Sequence, residues 1–524
     1  MWIAAAVLLI AHAVLAWLMR IPAITTGNDD AVYLHLARSL RELGYNDRFL
    51  VSAPVHAQYP PGYPVMLALL GALAGERLDV FLAAGVALSV GALALFFDAV
   101  RRLWTPALAL MALALASVNV LVLANAGRLM TETPFMALTV GALWLLSRRP
   151  ATRWTLVLAG AAVIAAALTR TVGVTLVVAV IALWLVERRI RAAATLAVVS
   201  ALTVGAWLLW TVLSPAKSVG RSYVADAGAA IAPTAVTASG GLLGRLQYNA
   251  VDYLTRQIPF ALPVPTVAGT RVDNVFWLLV ILALGALGSY ALWRRWRASF
   301  FALAAYFALL LVWTWTFGRL LEPLLPLLLL ALLAGAALAG RRFGPRAEWA
   351  LPLALTLVIG ATSLTQTAAA LKIAARCDRA HQFRLTAGCF EPARIAFVAS
   401  AEFARTRTDP TAVFASGKEG AFAYHSNRRL VPLASLLDAD SSQILARLAA
   451  MRVDYVMLGG FLVKEHRLAT QLLPICDRLA LVADFPPRAI MLRVRDDAPP
   501  GSDRRACDAL AQYVARSPSK PAGT

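Results

Sequence analysis

Over roughly the first two thirds of the chain, apolar residues come in long runs. Several runs approach or exceed the ~18 residues that cross a hydrocarbon core of ~30 Å. They fall near 2–17, 80–100, 106–125, 134–146, 155–168, 172–186, 196–213, 275–292, 300–317, 324–338 and 349–364. The pattern predicts an α-helical polytopic membrane protein with about eleven transmembrane helices. The first run lacks a basic segment before it and a small-residue cleavage site after it, so it reads as a span and not as a removed leader.

Polar stretches organise the rest. The first loop, 21–78, opens with a helical pattern over Asp30–Leu43, in which Val32, Leu36, Leu40 and Leu43 share one face. Asn28 or Asp29 is the expected N-cap and Gly44 the stop, with the helix lying along the membrane surface. Tyr59–Pro64 is proline-rich and predicts a rigid turn. Val65–Ala74 is apolar but too short to span, which predicts a juxtamembrane helix. A second long loop covers 214–274. From about residue 370 the apolar runs give way to short periodic ones. Thr411–Ser416, Val453–Leu458, Leu479–Ala483 and Ala489–Val494 read as strands, and Ser441–Ala450 and Leu468–Leu473 as helices. The expected organisation is a transmembrane domain, 1–369, followed by an external α/β domain, 370–524.

Charge adds topology. The chain carries 49 Lys and Arg against 29 Asp and Glu, a net charge of +20. This does not point to nucleic acid, because many of the cations cluster at every second short junction: Arg101 and Arg102; Arg148, Arg149 and Arg153; Arg188, Arg189 and Arg191; Arg294, Arg295 and Arg297; Arg341, Arg342 and Arg346. Such clusters mark the cytoplasmic side. The first loop, Arg128, Glu132, Arg170, the long loop, Arg319 and the C-terminal domain then lie outside. Cys377, Cys389, Cys476 and Cys507 all fall in that domain. Two disulfides are expected, most simply Cys377–Cys389 and Cys476–Cys507, although four cysteines allow three pairings.

The external rim therefore collects Asp29, Asp30, Arg128, Glu132, Arg170, Arg319 and Glu322. Ionised groups at a membrane edge are costly and point to chemistry. Arginine matches phosphate oxygens with paired donors. The structural alternative is local pairing, such as Arg128 with Glu132 four residues on. Tyr223, Tyr248 and Tyr253 are candidates for an aromatic interface. His12 reads as a hydrogen-bonded core histidine, His35 as a residue on the surface of the first-loop helix, and His56 as a loop histidine with metal ligation or base chemistry as the alternative. Gly417-Lys418-Glu419 lacks the glycine spacing and the following Ser/Thr of a phosphate loop.

Three features resemble the GT-C membrane glycosyltransferases, especially the bacterial group of aminoarabinose transferases and protein O-mannosyltransferases. They are Asp29-Asp30-Ala31-Val32-Tyr33 in the first loop, Tyr59-Pro60-Pro61-Gly62-Tyr63-Pro64 at its end, and a common layout. In that layout Arg128-Leu129-Met130-Thr131-Glu132-Thr133 opens the fourth span, Gly318-Arg319-Leu320 precedes the tenth, and an external α/β domain follows. The resemblance implies an inverting transfer of a monosaccharide from a polyprenyl-phosphate donor to a lipid, glycan or protein acceptor of the envelope. It places this on the outer face of a bacterial cytoplasmic membrane, with the C-terminal domain in the periplasm. It makes Asp29 the general base, with Asp30 beside it in a place where the family often has glutamate. Glu132 resembles a second acidic position that serves acceptor or metal. Arg128, Arg170 and Arg319 suit the donor phosphate, and Tyr33, Tyr59, Pro60, Pro61 and Tyr63 shape the loop. No ligand set compels a metal, although some members of the family bind one. A phosphate monoester leaving group does not require one.

The chief competing expectation is a secondary transporter or lipid-linked sugar flippase. Against it stand the odd span count, the lack of a visible inverted repeat, and acids at the rim rather than at mid-membrane. A non-catalytic binding or assembly protein is the third reading.

Overall fold

A computed structural model describes residues 1–21, 23–24, 27–148, 151–214, 241–265, 275–376, 390–437, 440–460, 462–495 and 504–516. Among these, helices Leu78–Leu103, Ile190–Leu213, Val275–Arg295, Gly318–Phe343 and Pro345–Arg376 are long and apolar enough to cross a bilayer. A further candidate is the pair Pro106–Val118 and Val120–Ala126, bent by 60°. Trp2–Leu18, Gly62–Ala74, Arg153–Thr169, Thr171–Val186 and Arg297–Val312 are apolar but shorter. Length and composition alone thus support five spans, or six with the bent pair, where counting runs predicted about eleven.

The differences have local causes. The expected span 106–125 breaks at Asn119, whose Oδ1 accepts from the amides of Leu121 and Val122 and caps a new helix. Its Nδ2 donates to the Ala261 carbonyl at 2.8 Å. The expected span 300–317 stops at Val312 because the buried Asn249 amide donates to the carbonyls of Leu310, Leu311 and Trp313. Trp313, Trp315 and Phe317 are thereby released to line a cavity.

The C-terminal unit holds a five-stranded mixed sheet in the order β2-β1-β3-β5-β4. Its strands are β1 Val413–Ser416, β2 Arg429–Pro432, β3 Tyr455–Leu458, β4 Leu479–Phe485 and β5 Ala489–Val494. β1 runs parallel to β2 and β3, and β5 antiparallel to β3 and β4. The parallel neighbours need crossovers, supplied by helices Glu419–Ser426 and Ser441–Ala450. The four expected strands all form. β2 was not foreseen, because it is four residues long and includes an exposed arginine. Helices Pro392–Arg407, Glu419–Ser426 and Arg504–Ala515 were not foreseen either. Pro345–Arg376 runs unbroken through the expected domain boundary at 369/370.

One face of the sheet, with Ala415, Val456, Leu458 and Leu492, packs against its own helices. The other face, with Phe414, Met457 and Met491, shares a core with Leu36, Phe49 and Tyr59 of the first loop. Main chain joins them as well. The Leu430 amide donates to the Phe49 carbonyl at 2.9 Å, and the Val51 amide to the Leu430 carbonyl at 3.0 Å. The first loop thus covers edge strand β2, which would otherwise present unpaired amides and carbonyls. Cys476 and Cys507 form the expected disulfide, tying helix Arg504–Ala515 back to the sheet. Cys377 and Cys389 lie outside the described residues, as does Tyr223.

Candidate active site

The site is built on the first-loop helix, Asp29–Arg41. Asn28 is its N-cap residue at φ 82°, but its side chain does not cap this helix. Its Oδ1 accepts from the Ala421 amide at 3.1 Å, at the start of Glu419–Ser426. The two helices meet at Gly420, where a Cβ would come within 2.6 Å of the Val32 side chain. His35 is accordingly not on the surface. Its Nε2 donates to the Gly420 carbonyl at 3.2 Å and its ring lies 4.9 Å from Phe49. The expected membrane-surface helix is instead clamped between helix Gly62–Ala74 and the C-terminal unit. Apolar residues on several sides of it are buried, while Leu43 is fully exposed.

Tyr59, Pro60 and Pro61 lead into helix Gly62–Ala74, which already includes Tyr63 and Pro64 of the expected turn. Gly62 is required there, because a Cβ would stand 2.7 Å from the Leu168 carbonyl. Tyr33 packs on Tyr59 and Tyr63, with ring centres 4.9 and 5.1 Å apart. The Tyr59 hydroxyl donates to Asp29 Oδ1 at 2.8 Å. Arg319 Nη1 lies 3.5 Å from the other oxygen, Oδ2.

Asp29 and Tyr59 each line two cavities. The first, the rim cavity, lies at the C-terminal ends of helices Arg153–Thr169 and Arg297–Val312. Its polar wall holds Asp29, Glu132, Arg170 and Arg319, and its apolar wall holds Leu309, Leu310, Trp313, Trp315 and Phe317. Arg170 Nη1 pairs with Glu132 Oε1 at 2.6 Å and donates to the Thr131 hydroxyl at 3.1 Å. Glu132 therefore pairs with Arg170 and not with Arg128, the helical neighbour the sequence offered. Arg128 is exposed and does not line this cavity. Glu132 Oε2 and both oxygens of the fully buried Glu322 have no hydrogen-bond partner among the described residues.

The second cavity lies between the first loop and the C-terminal unit. Asp29, Asp47, His56, Gln58 and Tyr59 line one side, and Lys418, Glu419 and Lys464 the other. Partial burial raises the Glu419 carboxyl to about 7, against the pull of Lys464 and Lys418. Reading the sequence missed this wall, because its residues lie hundreds of positions from the first loop they face and their only local signal was the rejected Gly417-Lys418-Glu419.

Other expectations sort cleanly. Asp30 is buried and lines neither cavity; its Oδ1 accepts from the Ala31 amide. His56 is buried against Asp47. His12 is hydrogen-bonded to the Ser117 carbonyl and the Ser89 hydroxyl. Tyr253 is buried, whereas Tyr248 is exposed. Among the described residues no group of three or more His, Cys, Asp or Glu is placed to hold a metal ion.

The fold matches solved structures. ArnT from Cupriavidus metallidurans, bound to undecaprenyl phosphate, is 15% identical with a TM-score of 0.52, covering 94% of this chain and 99% of that one. The Archaeoglobus fulgidus oligosaccharyltransferase tethered with an acceptor peptide is 13% identical with a TM-score of 0.53, covering 89% of this chain and 70% of that one. AglB from the same organism, in complex with an inhibitory peptide and a dolichol-phosphate, is 12% identical with a TM-score of 0.53, covering 94% and 76%. The chain has the GT-C fold that its motifs resemble. No family model and no curated protein matches it.

Proposed function

We propose that this protein is a membrane glycosyltransferase that moves a monosaccharide, with inversion, from a polyprenyl-phosphate donor to an envelope acceptor outside the cytoplasmic membrane. The observation that carries this reading is the position of Asp29 at the junction of two cavities. The rim cavity combines arginines with an apolar wall, the chemistry of a phosphate on a lipid tail. The other cavity, facing the C-terminal unit, admits the acceptor. A hydroxyl or amine there attacks the anomeric carbon. Asp29 takes its proton as general base, the sugar–phosphate bond breaks, and the phosphate keeps the electron pair. Arg319 and Arg170 stabilise the charge that develops on it. Asp29 stands at the first turn of its helix. Asp30, facing neither cavity, serves the helix start. Glu132 holds Arg170 in place.

The neighbours crystallised with undecaprenyl phosphate and dolichol-phosphate support a lipid-linked donor. The test is to incubate the reconstituted protein with a radiolabelled polyprenyl-phosphate sugar and envelope lipid, glycan and protein fractions. Label leaving the lipid for an acceptor is the expected result. Label that crosses the vesicle membrane still on its lipid would replace this reading with transport.

A further inference from the structure

Tyr59 is held at each of its polar groups, and the holding runs back to a buried pair that does not line the cavity of the two arginines. Its hydroxyl donates to Asp29 Oδ1. Its amide donates to His56 Nε2 at 2.8 Å, and its carbonyl accepts from the Tyr45 hydroxyl at 2.8 Å. Its ring stacks on the His56 imidazole, 5.3 Å between centres and 23° between planes. Because Nε2 accepts, the ring proton sits on Nδ1, which donates to Asp47 Oδ1 at 2.8 Å. That bond settles the tautomer. Both side chains are 2% exposed. The loop closes around them, with the Asp47 amide on the Pro54 carbonyl and the His56 amide on the Tyr45 carbonyl. Burying a carboxylate is expensive, and packing alone would be better served by an apolar pair.

We infer that Asp47 and His56 are positioning residues for the base: they fix Tyr59 so that its hydroxyl orients the Asp29 carboxylate toward the acceptor. This rests on the proposed role of Asp29. A carboxylate free to rotate presents its lone pairs at random. One oxygen pinned by Tyr59 sets the plane of the group, and fixed orientation is converted into rate. Asp47 and His56 line the cavity facing the C-terminal unit and not the rim cavity that holds the two arginines, so the pair acts on turnover and not on donor affinity.

The experiment is a double-mutant cycle on the full-length reconstituted protein. Tyr59→Phe removes only the hydroxyl. His56→Phe keeps a ring to stack and removes both nitrogen contacts. Each is expected to lower kcat about tenfold and to change the donor KM by no more than about twofold. The double variant is expected to be no slower than the slower single one, because both act through one hydrogen bond. Asp47→Asn, which still accepts from Nδ1, keeps most of the turnover, and Asp47→Ala falls to the level of His56→Phe. Effects that multiply in the double variant, a loss confined to KM, or equal losses in Asp47→Asn and Asp47→Ala would overturn the inference. If His56→Phe does not insert, the Asp47 pair carries the test. If the wild type transfers no sugar, the functional reading fails separately. The hub is then read by 19F resonance of 3-fluorotyrosine at position 59. Asp29→Asn should shift the signal in the wild type and not in the His56→Phe or Asp47→Ala background. A shift that persists in both overturns it.

Discussion

Arg170 and Glu132 form an ion pair of 2.6 Å with side chains only 13% and 2% exposed. Removing one partner of such a pair leaves a buried charge, which costs about 3–5 kcal/mol. Arg170→Ala is therefore expected to lower stability by that order, and pairing it with Glu132→Gln to recover part of the loss. Thermal unfolding in detergent checks both; a single variant as stable as the wild type would show that the charge finds water.

Arg319 is different, because its side chain is 47% exposed and its approach to Asp29 is 3.5 Å. An exposed pair contributes less than about 1 kcal/mol. Arg319→Ala should keep its stability and bind the lipid-phosphate donor more weakly. Titration with the donor reads this directly; unchanged affinity would remove Arg319 from the phosphate site.

Asp29→Asn keeps the size and the Tyr59 contact but cannot take a proton. Transfer should fall by about 10²–10⁴, with normal insertion and donor binding. A purified variant that turns over like the wild type would end the base assignment.

The contact between first loop and C-terminal unit should respond to pH in two opposed ways. Burial lowers His35 to about 4, with Arg38 adding to the shift. Its contribution is full above about 6.5, the unfolded value, and is lost as pH falls through about 4. Glu419 is raised to about 7 from an unfolded 4.5. Its contribution is full below 4.5 and lost as pH rises through 7. Glu419→Gln should therefore stabilise the protein at pH ~8, by at most about 3 kcal/mol, and do nothing at pH ~4. Unfolding midpoints at the two pH values make the comparison.

Cys507→Ser releases helix Arg504–Ala515 from the sheet. A loss of about 2–4 kcal/mol is expected in the C-terminal unit. Reductant should lower the wild-type midpoint at least to that of the untreated variant.

Much of the architecture was legible because it depends on local pattern. Apolar runs marked membrane helices, four strand segments announced themselves by composition, and helix Ser441–Ala450 formed where its periodicity said. Cys476 and Cys507 paired as the simplest connectivity required. Where the helix lengths departed from expectation, a polar side chain had intervened. Asn119 capped a new helix within its own expected span, and Asn249, on helix Gly241–Asp252, ended Arg297–Val312 by bonding backbone that no local pattern could show was within reach.

The acidic pair in the first loop was likewise visible as a candidate, and the structure places Asp29 on both cavities and Asp30 on neither. By itself the sequence determined which segments prefer hydrocarbon, where charge gathers, and that a helix starts beside the acidic pair, since these follow from side-chain solvation and short-range periodicity. Tertiary structure alone decided which arginine meets which acid, that Lys418 and Lys464 face Asp29, and that Asp47 and His56 stand behind Tyr59. Those relations join positions far apart in the chain. They exist only once the first loop has packed on the C-terminal sheet and the shared core has brought their backbones together.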